Sequence, residues 1–157
     1  MAFEISKDQS ILQFISKDHH LGRSLSWNIQ QGIKLNAPID EMWKYVDWFW
    51  HNNLKNHFEL EEKKLFALLD ADNQFLKKAQ TQHRRIKRLF EKCPKDIKTL
   101  NSIEEDLNRL IRFEETVLFS EILTMVTAEQ LIEIASSYPN QPIKEWEGKQ
   151  FWSAKHN

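Results

Sequence analysis

The chain has 157 residues, 41% hydrophobic and 29% charged, at a mean hydropathy of −0.61, the profile of one soluble globular domain and not of a disordered or membrane chain. Three Gly and four Pro are too few turn formers for an all-β fold, and a single cysteine, Cys93, excludes an intramolecular disulfide. Lys+Arg 22 against Asp+Glu 23 leaves a net charge of −1, which argues against a phosphate-tracking nucleic-acid binder, and no apolar run approaches the roughly 18 residues of a membrane span.

The punctuation predicts four long helices, a short fifth and a tail. The first runs from about Ser10 to Lys34, with Ile11, Ile15, Leu25, Ile29 and Ile33 at helical spacing. Asn36-Ala37-Pro38 interrupts it. Asn36 or Ala37 is expected to cap a second helix that continues to about Asp70 without Gly or Pro. Ala71-Asp72-Asn73 is a polar joint. A third helix spans about Gln74 to Lys92 and stops at Cys93-Pro94, and a fourth runs from about Asp96 to Met125. Thr127-Ala128-Glu129-Gln130 reads as a capping box for a helix to about Ser137, and residues 138–157 form a tail broken by Pro139 and Pro142. Long helices with short joints fold as antiparallel neighbours, so the expected architecture is one all-α domain, an up-down-up-down four-helix bundle.

One internal echo stands out. Residues 57–66, HFELEEKKLF, align with residues 110–119, LIRFEETVLF, with four of ten positions identical. They fall on the second and fourth helices, so two equivalent carboxylates are expected at similar depth across the core.

Polar residues interrupt every inward stripe. The second helix gives Leu54, His57, Glu61, Leu65, Leu68; the third gives Leu76, Ala79, His83, Ile86, Phe90; the fourth gives Ile103, Leu107, Leu110, Glu114, Val117. On the first, His19 shares the line of Leu25 and Ile29, and His20 points away. One core histidine is ordinary, and Glu61 or Glu114 alone could pair with a basic side chain. Two inward carboxylates with three inward imidazoles are another matter, because a buried carboxylate is costly without a partner. Such ligands on facing helices are how bundles hold one or two transition-metal ions, iron and manganese especially. Glu59 and Glu62 read as a solvated face with Lys63 and Lys64.

At these residues the chain resembles the hemerythrin-like family, the HHE cation-binding domain, over about Ser10 to Met125. The cues are Ser16-Lys17-Asp18-His19-His20, Phe49-Trp50 with Leu54 and His57-Phe58, the doubled Glu61-Glu62 and Glu114-Glu115 blocks with their Leu-Phe pairs, Gln82-His83-Arg84-Arg85-Ile86, and Ile111-Arg112-Phe113. The resemblance implies a non-haem di-iron centre with His19, His57, Glu61, His83 and Glu114 as ligands and Glu115 as the rival of Glu114. It implies binding or sensing of oxygen, nitric oxide or iron, or repair of iron centres. The sequence departs from the family at Leu110, where the pattern on the fourth helix has His, and Asn53 also stands where His is expected. A centre completed by water, a single metal, or a relic site are then all open.

The sequence is therefore read as a cytoplasmic metal-binding protein, with iron as cofactor and a small diatomic ligand as partner, and not as a turnover enzyme, a nucleic-acid binder or a membrane protein. The competing reading is a metal-free bundle acting through its surface or its aromatic tail, Trp146, Phe151 and Trp152.

Overall fold

The computed structural model describes residues 19–137 and 143–153, and all its regular structure is helical. The expected start of the first helix, with Ile11, Ile15 and the Ser16-Lys17-Asp18 cue, lies outside the described residues, as do Pro139, Pro142 and His156. Helix α1 is described from residue 19 to 34. Helix α2 begins as Ile39–Phe49 and stays helical to residue 68, with π turns at Trp50–Leu54 and Glu61–Leu65 around Lys55–Leu60, and a tight 3-10 turn at Phe66–Leu68. Helix α3 is Gln74–Glu91. Helix α4 runs as Ile97–Phe113, a π turn at Glu114–Leu118, and Phe119–Met125. Helix α5 is Ala128–Ser137.

The helix ends follow local chemistry. Asn36 sits at φ 53° and closes α1, with Asn36 N–H bonded to Ile33 O and Ala37 N–H to Gly32 O. This is the left-handed C-terminal closure that Asn tolerates. Asn36 therefore does not cap α2, whose preceding residue is Pro38 and which has no side-chain cap. Asn73 Oδ1 accepts from Phe75 and Leu76 N–H at 2.9 and 3.1 Å, and Asp96 Oδ1 accepts from Thr99 N–H at 2.8 Å. Thr127 and Gln130 form the reciprocal box, with Thr127 N–H to Gln130 Oε1 at 2.9 Å and Gln130 N–H to Thr127 Oγ1 at 3.1 Å.

The helices touch in a ring. Asn28 of α1 donates to the Tyr45 hydroxyl of α2. The Trp50 ring of α2 stacks on Phe90 of α3, Arg85 of α3 pairs with Asp106 of α4, and Ser26 of α1 donates to the Glu104 carbonyl of α4. Buried apolar residues form two clusters. One includes Leu25, Ile29, Trp50, Phe58, Ile86, Leu107 and Leu110; the other includes Leu65, Phe66, Leu76, Ala79, Leu118 and Phe119. The π turns shift the helical phase, because each spends more residues per turn. Val117 and Leu68, expected inward, are half-buried, while Leu118, Phe119, Phe66 and Leu69 are buried.

The aromatic tail packs onto this core. Phe151 is buried against Tyr45, and Trp146 and Trp152 pack at its side. Asn53 holds the tail's backbone on both sides: its Nδ2 donates to Lys144 O and its Oδ1 accepts from Lys144 N–H, each at 3.1 Å. The position where the resemblance suggested an imidazole thus carries a tail clamp.

Candidate metal centre

A polar layer separates the two apolar clusters. On α2, Glu61 falls between Phe58 of one cluster and Leu65 of the other; on α4, Glu114 falls between Leu110 and Leu118; on α3, His83 falls between Ile86 and Ala79. All three are at most 4% exposed, and His19 at the described start of α1 is 3% exposed. Glu61 and Glu114 each open a π turn, so the echo in the sequence is also an echo in the backbone. Such turns are frequent at functional sites.

Ligand atoms of Glu61, His83 and Glu114 all lie within 4.8 Å of one another. The Glu114 carboxylate stands between two imidazoles, one to each oxygen. His19 Nε2 lies 3.1 Å from Oε1, and His83 Nε2 lies 3.6 Å from Oε2. The second pair is too long for a good hydrogen bond. His83 Nε2 and Glu114 Oε2 are both buried without a hydrogen-bond partner among the described residues. Buried polar atoms normally find a hydrogen bond, and two ligand atoms that face each other without one fit a cation site. The donor set of one imidazole and two carboxylates suits iron or manganese.

The outer sides of both imidazoles are held alike. His19 Nδ1 donates to Glu115 Oε2 and His83 Nδ1 to Glu62 Oε2, both at 2.8 Å. Rings also fix His83, which stacks on Phe58 with centroids 4.1 Å apart and tilts against Phe66 at 4.9 Å. Burial would lower the pKa of both histidines. The adjacent Glu114 carboxylate outweighs it, helped by hydrogen bonds to Glu115 at His19 and to Glu62 at His83, and both are raised above the ordinary imidazole value. Burial would raise Glu114, but the imidazoles of His19 and His83 beside its two oxygens hold it well below the usual carboxylate range. Without a cation, the layer is held as an ion-paired network.

No family model, curated protein or solved structure matches this chain. The site therefore stands on its own geometry.

Of the five ligands expected from the sequence, Glu61, His83 and Glu114 converge directly and His19 reaches them through Glu114. His57 lies one turn before Glu61, half-buried, and is not one of the three converging residues. Between the rivals on α4, Glu114 is buried and Glu115 is 36% exposed, engaged with His19 and with Arg23 Nη2 at 2.5 Å. His20 is exposed. Sequence reasoning placed Glu62 on a solvated face, where its side chain is indeed 49% exposed, but missed its bond to His83. Its signal was the echo itself, since Glu62 and Glu115 occupy matching places in the two blocks. Leu110 is buried at 2% exposure one turn before Glu114, and it offers no ligand.

Proposed function

We propose that the chain is a hemerythrin-like protein, an up-down-up-down four-helix bundle that holds non-haem iron between its helices. The observation that carries the reading is the buried convergence of Glu61, His83 and Glu114, with two facing ligand atoms left without a hydrogen bond. The opposed residue order of neighbouring contacts supports the bundle topology: Trp50 with Phe90 and Phe58 with His83, then Lys78 with Phe113 and Arg85 with Asp106. In this reading Glu61, His83 and Glu114 hold one ion, with His57 a turn away on the Glu61 side. His19 marks a second position that Leu110 leaves poor in imidazole. Iron with open positions would supply uptake of a small diatomic ligand, oxygen or nitric oxide. Nucleophilic catalysis by a side chain does not fit, because among the described residues no Ser or Cys stands beside a base in the site. A cytoplasmic setting goes with a lone free thiol, Cys93.

A second reading is favoured by the ion pairs of the layer. His19 and His83 already neutralise Glu114, so a metal-free bundle that acts by protein contact is also self-consistent. Thermal unfolding under anaerobic ferrous titration separates the two. A ligand at about a hundred times its dissociation constant stabilises by about 2.7 kcal/mol, and so by about 5–10 °C in a domain of this size. The wild type should gain that shift, and Glu61→Ala and Glu114→Ala should gain none. A wild type whose melting is indifferent to ferrous ion supports the metal-free reading instead.

A further inference from the structure

Each Glu-Glu block pairs a buried first residue with a half-exposed second one. Glu61 is 4% exposed and Glu114 1%, whereas the side chains of Glu62 and Glu115 are 49% and 36% exposed. The second residues do the same thing on different helices. Glu62 of α2 bonds Nδ1 of His83 on α3, and Glu115 of α4 bonds Nδ1 of His19 on α1, both at 2.8 Å. Successive helical residues are about 100° apart, so when the first Glu points inward the second points to one flank, toward the neighbouring helix. Both blocks open a π turn at the first Glu. Each outer carboxylate also has a cation near it, Arg23 at Glu115 and Lys87 and Arg84 at Glu62.

We propose that Glu62 and Glu115 are positioning residues: Glu62 holds His83 by Nδ1 so that its Nε2 is presented to the metal, and Glu115 holds His19 by Nδ1 so that its Nε2 faces the Glu114 carboxylate. The proposal rests on the metal reading above and assigns the doubled block a division of labour: the first Glu ligates, and the second orients the histidine of the next helix. An imidazole has two nitrogens, and only one can serve the ion here. A carboxylate accepts and cannot donate, so it fixes the proton on Nδ1 and leaves Nε2 as the lone-pair donor. Four carboxylates in two adjacent pairs thus do two jobs, which a solvated acidic face would not require.

The test combines ferrous affinity with proton NMR of the imidazole ring protons, on wild type, Glu62→Ala, Glu115→Ala and the control Glu59→Ala. Losses of this kind typically weaken metal binding 10–100-fold. Glu62→Ala is expected to lower ferrous affinity by that factor, and Glu59→Ala to leave it unchanged. In the metal-free chain, wild type should show hydrogen-bonded Nδ1 protons for both His19 and His83. Glu62→Ala should lose only that of His83, and Glu115→Ala only that of His19. A general loss of packing would not produce that selectivity, and Glu62→Gln, which keeps an acceptor oxygen, should restore the His83 signal. Equal ferrous affinity in wild type and Glu62→Ala, or both ring protons surviving in both variants, overturns the proposal. A wild type with both ring protons in place and no ferrous affinity overturns the metal reading, and the metal-positioning role with it, while leaving the pairings as structural contacts.

Discussion

Leu110 is the residue on which the metal account is most exposed. It is buried in an apolar cluster one turn before Glu114, as His57 stands one turn before Glu61. Leu110→His puts a polar ring among apolar side chains and should destabilise the metal-free chain by about 1–3 kcal/mol. Ferrous ion should recover that loss and raise iron occupancy, with near-ultraviolet absorption of an oxo-bridged ferric pair on oxidation. Loss of stability with no gain of iron would mean that no second pocket exists. At the other end of the layer, His19 is buried and His20 exposed, so His19→Ala should lower metal content and His20→Ala should leave it alone. Tyr45 gives a prediction independent of metal. Burial pushes its hydroxyl up to about 12 from an ordinary 10.0, against the smaller pull of the hydrogen bond from Asn28. A group with a raised folded pKa stabilises fully below its unfolded value and loses that contribution as pH rises through the folded one. Stability should fall between about pH 10 and 12 and fall less steeply in Tyr45→Phe, as read by urea midpoints across that range. Identical slopes would show that Tyr45 is not the group responsible.

The elements show what the amino-acid pattern could and could not convey. Helix limits were legible because their signals are local: Asn73 at the joint, Pro94 after α3, and the Thr127–Gln130 box. Asn73→Ala removes two accepted N–H bonds at the start of α3 and should cost about 1 kcal/mol, measurable as a lowered denaturant midpoint. An unchanged midpoint would mean that water replaces the cap. The π turns were not legible. A stripe extrapolated at 3.6 residues per turn runs through Glu61 and Glu114 unaltered, and it therefore put Val117 inward where the structure puts Leu118. On α4 the inward residues up to the π turn, Ile103, Leu107 and Leu110, were read correctly because the phase has not yet slipped there, whereas on α2, after the π turn at Trp50–Leu54, His57 is half-buried and Phe58 takes the buried place. Glu62 could not be assigned from its own helix at all, since its partner His83 lies on α3.

At the scale of the molecule, the buried polar layer and the aromatic tail lie in separate parts of the packing. Phe151 reaches back to Gly32 of α1 and Met42 of α2. A Cβ added at Gly32 would lie 2.6 Å from the Phe151 ring and 2.8 Å from the Met42 terminal methyl. Phe151→Ala should cost about 3–5 kcal/mol in urea unfolding while leaving metal affinity intact, because Phe151 packs within the apolar cluster that holds Tyr45 and Met42. A free tail would show no such cost. The layer itself replaces core with charge, a costly substitution unless the charges are paired or bound to a cation. The most direct measurement is elemental analysis of the chain purified without chelators, beside Glu114→Ala prepared identically. The account predicts iron in the wild type at fewer than two ions per chain, and background in the variant. Two irons per chain would contradict the weakened second position, and a wild type that holds no metal even after anaerobic iron loading would contradict the metal centre itself.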